Sequence, residues 1–430
     1  MTTNTLEIKP VSDDRIRRLA SRYGTPLWIY QQQVIEQRIS ELKCFDVVRY
    51  AQKANSNLAI LALMKKKGLT VDAVSAGEIY RALKAGFTGG EEAQIVYTAD
   101  IFDRDALEMI QKHRIPVNVG SPDMIRQLHD AGIQVDVTLR INPGFGHGHS
   151  RKTNTGGDLS KHGIWHEQIT DCVKMGQKLG VNINGLHMHI GSGSDFEHLS
   201  KVCDFMVTAA QRFGNGVRTI SAGGGLPVPY CGKEDSSRID INAYYQLWND
   251  ARNTIQKMVG ESVTLEVEPG RYLVSESGSL LTRICAVKTM GDNCFYLVDA
   301  GFNDLIRPAF YGAYHHISIV SQRDTSFSSE EINAVVGGPL CESGDVFTQE
   351  EGSFVVPRSL PKADVGDYLI LHDTGAYGIV MSSNYNTRKI GSEVLLDGNQ
   401  EFEIRQRQTW DHILKFERIP EHLQYQAFRL

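Results

Sequence analysis

From residue 47 onward, eight short β-rich runs alternate with longer amphipathic stretches, a pattern that confines the chain to βα units around a parallel sheet. The runs are 47–53 (VVRYAQK), 69–75 (LTVDAVS), 94–99 (QIVYTA), 115–120 (IPVNVG), 134–142 (QVDVTLRIN), 183–191 (INGLHMHIG), 219–225 (TISAGGG) and 264–270 (TLEVEPG). Between several of them apolar residues recur at i, i+3 and i+4, which predicts helices over 57–66, 76–85, 104–113 and 196–213. Eight units in about 225 residues fit a closed (β/α)8 barrel in count and length, whereas a doubly wound open sheet usually needs fewer strands.

The 430-residue chain has room for such a barrel and a companion domain. After Gly270 the helical patterns thin out and short alternating runs at 295–299, 316–321, 334–337, 353–356 and 368–372 predict a β domain. The segment 25–30 (TPLWIY) has strand composition and precedes the barrel, so it is a candidate to pair with that domain. The expected division is a barrel over 33–275 and a second domain over 1–32 and 276–430. An irregular stretch, 143–162 (PGFGHGHSRKTNTGGDLSKH), is too long for an ordinary βα connection, which suggests a functional loop.

Forty-five Lys and Arg against 51 Asp and Glu give a net charge of -6, without the basic excess of a nucleic-acid or anionic-membrane binder. No apolar run approaches the ~18 residues of a membrane span, and the start MTTNTLEIKP lacks the pattern of a secretory signal. A cytoplasmic protein is expected. Seven scattered cysteines without a C-x-x-C pair indicate neither a disulfide scaffold nor a structural zinc site.

Barrels of this kind carry their active sites at the C-terminal ends of the strands. There the runs place Lys53, Arg140, His187, His189, the triplet Gly223–Gly225 and Glu268. Lys53 ends an otherwise apolar strand, where a charged amine is costly unless paired or chemically used; a covalent link to a carbonyl cofactor and a strand-end lysine reaching solvent both explain it. The glycine triplet and the turn Gly191-Ser192-Gly193 suit close approach of a phosphate, or are simply tight turns. His187-x-His189 has metal-ligand spacing, but the later strands offer Gly and Glu rather than further ligands, so no metal is expected. One imidazole suits stacking on a planar cofactor, and the other suits a satisfied core histidine. Glu268 can hold a pyridine nitrogen protonated, or pair with Arg271 or Arg140.

Seven motifs in order across nearly the whole chain, YAQKANSN (50–57), VDAVSAGE (71–78), HMHIGSG (187–193), AGGGL (222–226), EPGR (268–271), GPLCESGDVF (338–347) and DTGAYG (373–378), resemble the diaminopimelate decarboxylases, the enterobacterial form most closely. The resemblance implies a fold-type III enzyme dependent on pyridoxal 5'-phosphate (PLP): an alanine-racemase-like barrel with a sandwich or Greek-key-like C-terminal β domain. It also implies a head-to-tail homodimer in which that domain completes the partner's active site. By the same match Lys53 carries PLP in Schiff-base linkage, His189 stacks on the ring and Glu268 pairs with its nitrogen. Ser192, Gly224, Gly225, Gly270 and Tyr377 hold the phosphate, Asp72 and Arg140 support the lysine and the phenolic oxygen, and Cys341 returns a proton to Cα from the partner subunit.

For the substrate, Arg271, Arg307 and Tyr311 can clamp a second carboxylate, with Tyr377 near them and Glu342 for the distal amine. That pattern favours meso-diaminopimelate, decarboxylated at its D-centre to L-lysine. A sibling enzyme acting on ornithine, arginine or carboxynorspermidine is the alternative, and a non-catalytic PLP binder a further one that retention of both Lys53 and Cys341 disfavours.

Overall fold

In a computed structural model of the chain, the described residues are 10–146, 155–189, 191, 195–230, 238–323 and 330–424. Strand β1 (Leu27–Gln31) precedes the barrel. The barrel strands are β2 (Val47–Ala51), β3 (Thr70–Ala73), β4 (Ile95–Ala99), β5 (Val117–Val119), β6 (Val137–Asn142), β8 (Ile183–Met188), β9 (Thr219–Ser221) and β10 (Thr264–Val267), with the two-residue β7 (Ile164–Trp165) added beside β6. All pair in parallel, and the ring closes where β10 pairs with β2, Glu266 opposite Val47.

The expected barrel is therefore present with all eight strands. Its helices form where the apolar spacing predicts them. In the helix Phe196–Phe213 the buried residues Leu199, Val202, Cys203, Met206, Ala209, Ala210 and Phe213 fall on one stripe against the sheet. Asn57, Ser75, Asp103, Asp195 and Asp240 cap five of the helices by accepting a backbone N–H in the first turn, each cap contributing about 1 kcal/mol.

The second sheet contains β1, β11 (Gly278–Met290), β12 (Asn293–Val298), β13 (Ile317–Val320), β14 (Glu331–Gly337), β15 (Arg358–Pro361), β16 (Tyr368–Leu371), β17 (Ser392–Asp397) and β18 (Gln400–Arg405). Its main path runs β15-β14-β12-β11-β1-β17-β18, with β16 joining β11 to β13. Strand β1 sits at its centre, antiparallel to β11 and parallel to β17, so the TPLWIY segment pairs with the C-terminal strands. The expected strand at 353–356 is not formed beyond a single bridge at Val355; the strand lies at β15 instead. Gly352 and Ser353 both take positive φ there, which turns the chain, and Phe354 is left 71% exposed.

One buried contact ties the sheet to the barrel. Glu393, fully buried on β17, accepts a hydrogen bond from Asn57 Nδ2 (2.6 Å) on the barrel side, and within the sheet it accepts from Tyr30 Oη (3.0 Å) and pairs with Arg405. Among the described residues no helix is long and apolar enough to cross a membrane.

Candidate active site

Lys53 lies not in β2 but in the single 3-10 turn Gln52–Ala54 that follows it. The flanking residues are locked: Gln52 is fully buried and donates to Asp72 O (3.2 Å), Ala51 N donates to Pro269 O (3.1 Å), and Ala54 O accepts from Tyr377 N (2.8 Å). The lysine amine itself has no hydrogen bond or ion pair among the described residues, and it lines the cavity at the barrel mouth. A rigid turn thus presents an unpaired amine, the arrangement an amine nucleophile needs.

Glu268, just past β10, is buried and held from both sides. His187 Nε2 lies 2.7 Å from its Oε2, and Ser221 Oγ donates to its Oε1 at 3.1 Å. Burial would raise its pKa, but His187 and, farther off, Arg49 outweigh that and hold the carboxyl well below its usual range. The pairing with Arg271 or Arg140 open in the sequence is not made among the described residues: Arg271 donates to Tyr230 Oη instead, no ion pair joins Arg140 to Glu268, and the nearby Arg49 pairs with Glu266 at 2.7 Å. Asp72, on β3, shifts the opposite way, raised by burial and by the Glu268 charge against the opposing pull of Lys53. His189 is half-buried in the same wall, its imidazole kept neutral by loss of solvent and by Lys53 and Arg140. Arg140 on β6 lines the mouth as well.

At the opposite lip, Gly224 and Gly225 turn the chain after β9, and Gly225 takes φ +100°. A Cβ at Gly225 would collide with Gly191 O, and one at Gly224 with Glu268 O. No described group accepts either N–H, leaving two donors at a concave, glycine-walled lip. Gly270 packs on Ala51 and Ala54, and Tyr377, in a left-handed backbone conformation at φ +56°, closes the cavity beside Arg271. Ser192 lies outside the described residues, as do residues 147–154 of the irregular loop. The described end of that loop is fastened over the mouth: Thr155 Oγ1 donates to His189 O (2.7 Å), and Asp100 accepts from Gly163 N (2.9 Å) and meets His162 Nδ1 (2.6 Å).

Arg271 and Arg307 converge from the two domains. Arg271 stacks over Tyr377 (5.0 Å to the centroid) and donates to Tyr230 Oη at 2.7 Å, while Arg307 lies 4.8 Å over the Tyr230 ring. Tyr311 follows in the short helix Arg307–Tyr311. Cys341 and Glu342 are not brought to this cavity; both are exposed, and Cys341 N donates to Asn386 Oδ1 (3.0 Å) within the second domain. Tyr230, His315 and Ser221 escaped the sequence reading, and His187 was left there as a core histidine. For His187 and Ser221 a signal existed, since both face Glu268 from neighbouring strand ends.

Residues 31–275 match the family described as the pyridoxal binding domain of the pyridoxal-dependent decarboxylases, and residues 202–375 match its C-terminal sheet domain. The chain is 52% identical to the diaminopimelate decarboxylase of Escherichia coli K12 over 406 residues, covering 94% of this chain and 96% of that protein. It is 50% identical to the one from Streptomyces coelicolor, covering 94% and 92%. The chain belongs to the diaminopimelate decarboxylase family. A crystal structure of a diaminopimelate decarboxylase superposes with a TM-score of 0.91 at 51% identity, covering 94% of this chain and 96% of that one. The Helicobacter pylori diaminopimelate decarboxylase complexed with L-lysine gives 0.83 at 30% identity, covering 93% and 98%.

The cofactor of this pyridoxal-dependent family is PLP, and the cavity fits it. Its lining brings together the unpaired Lys53 amine, the unused backbone donors of the glycine turn and the ionised Glu268. His189 there has a buried Nδ1 without a partner.

Proposed function

We propose that the chain releases CO2 from the D-centre of meso-diaminopimelate to give L-lysine, with the site residues in the roles the sequence suggested. The observation that carries this is the meeting, at one barrel mouth, of the unpaired Lys53 amine, the ionised Glu268 and Arg271, with Arg307 joined to Arg271 through Tyr230. When bound, PLP supplies the electron sink for the carbanion left by CO2.

The chain's own residues do the rest. Lys53 holds the cofactor and yields it to the substrate amine. Glu268, kept anionic by His187 and Ser221, holds a proton on the ring nitrogen, because the opposite charge favours the charged form. His189 covers one ring face, Asp72 and Arg140 support the lysine side, and Gly224, Gly225, Gly270, Tyr377 and Ser192 take the phosphate. Arg271, Arg307 and Tyr311 bind the distal carboxylate.

Cys341 returns the proton to Cα and Glu342 takes the distal ammonium, both from a second copy of the chain. Their exposure in one copy and distance from its own cavity support that homodimer. The reading includes the division into a barrel over 33–275 and a second domain over 1–32 and 276–430. It also includes a cytoplasmic setting, which the six unpaired described cysteines suit.

The test is CO2 release by the PLP-loaded protein on meso-diaminopimelate, with L-ornithine as control and the visible absorption of the bound cofactor recorded in the same cuvette. Release from meso-diaminopimelate alone is expected. Release from ornithine alone would replace the substrate.

A further inference from the structure

Arg271, which lines the cavity, and Arg307, which shares the Tyr230 ring with it, are unusual in what holds them. Arg307 is only 6% exposed and Arg271 is half-buried, yet among the described residues neither has a carboxylate oxygen within ion-pair distance. Their partners are a phenol and an imidazole, and the hydrogen-bond directions can be deduced.

His315 is buried with Nδ1 2.8 Å from His372 O. A carbonyl only accepts, so Nδ1 carries the proton and Nε2 is left with a lone pair. That lone pair faces Arg307 Nη1 at 3.2 Å, and a guanidinium only donates. His315 is therefore a neutral acceptor for Arg307 in a fixed tautomer. On the other side, Ser275 Oγ lies 2.9 Å from Asp373 O and 3.0 Å from Tyr230 Oη. Its single proton serves the carbonyl, so Tyr230 Oη donates to Ser275 and accepts from Arg271. The Tyr230 and His315 rings meet edge to face, 5.5 Å between centroids, and Arg307 lies against both.

We propose that Tyr230 and His315 are positioning residues that set the requirement for a second substrate carboxylate: they orient Arg271 and Arg307 through uncharged partners, so that both guanidiniums await an incoming anion. A carboxylate in either place would neutralise the clamp from within. A buried cation left without a counter-ion is expensive, and the substrate's distal carboxylate relieves that cost on binding. The inference rests on the functional reading above and adds the residues that give the clamp its selectivity.

The experiment compares the PLP-loaded wild type with His315→Leu, His315→Gln, His315→Glu and Tyr230→Phe. Each is assayed for kcat and KM on meso-diaminopimelate and for competitive inhibition by pimelate, a dicarboxylate, against hexanoate, a monocarboxylate. His315→Leu is expected to raise KM about tenfold or more with kcat changed less than about threefold, as for a lost hydrogen bond to a charged group. His315→Gln, which retains an acceptor, should recover most of the loss, and His315→Glu should be the worst of the three. Tyr230→Phe, which removes one oxygen, should raise KM by several-fold and lower the pimelate-to-hexanoate preference.

Unchanged KM and inhibitor preference in His315→Leu and Tyr230→Phe would overturn the proposal, as would equal losses for both inhibitors. If the histidine variants fail to fold, Tyr230→Phe decides alone. If the wild type releases no CO2 from meso-diaminopimelate, the functional reading fails instead, and direct calorimetric titration with pimelate and hexanoate still reports on the clamp.

Discussion

The two walls of the cavity handle charge in opposite ways. On the cofactor wall the buried anion is fully provided for: Glu268 has His187 on one oxygen and Ser221 on the other. On the distal wall, Arg271 and Arg307 have no carboxylate within ion-pair distance among the described residues, only Tyr230, Tyr377 and His315. The first wall is finished before anything binds and is suited to hold a permanent, positively charged ring. The second is completed by the substrate. Pre-organised charge supports a resident cofactor, and charge left open provides selectivity, because only a ligand with the missing group relieves it.

The comparison breaks most readily at Lys53. Lys53→Ala should abolish the visible band of the bound cofactor and lower CO2 release roughly 10³-fold or more; an intact band would place the cofactor elsewhere. Next, Glu268→Gln, which keeps the shape and removes the charge, should lower kcat on the order of 10²-fold with a small change in KM. A change confined to KM would mean that the cofactor wall does not act on the reacting centre. Arg307→Met should do the reverse, lowering kcat/KM for meso-diaminopimelate about 10- to 100-fold, mainly through KM.

The smallest effect is on stability. A carboxyl whose folded pKa lies below its unfolded value adds stability that is complete above the unfolded value and is lost as pH falls toward the folded one. For Glu268, brought from 4.5 to about 2, the cofactor-free protein should lose thermal stability between those pH values. Glu268→Gln should flatten that part of the curve. Parallel curves for the two proteins would show that Glu268 is not held ionised.

The barrel was legible because each strand announces itself twice, by β-rich composition and by the helix that follows. Strand ends then located Lys53, His189, Glu268 and the glycine lip. The second sheet was read less well. Strands β17 and β18 are joined by the two-residue turn Gly398-Asn399, with Gly398 at φ +54°, a hairpin signal carried by the sequence itself. The run at 353–356 looked like a strand by composition, yet the preceding turn leaves it exposed and unpaired. Tyr230 and His315 were beyond reach for another reason: they come from a loop of the barrel and a loop of the second domain, and only packing of the two brings them to the same arginine. The His187–Glu268 contact likewise joins residues 81 positions apart, which no local pattern records.

The most direct test compares CO2 release from meso-diaminopimelate with release from D-lysine, which retains the reacting centre and lacks only the distal carboxylate. The wild type is expected to prefer meso-diaminopimelate by roughly 10⁴-fold in kcat/KM, with Arg307→Met narrowing the gap. Comparable rates on the two compounds in the wild type would contradict the account of the open distal wall.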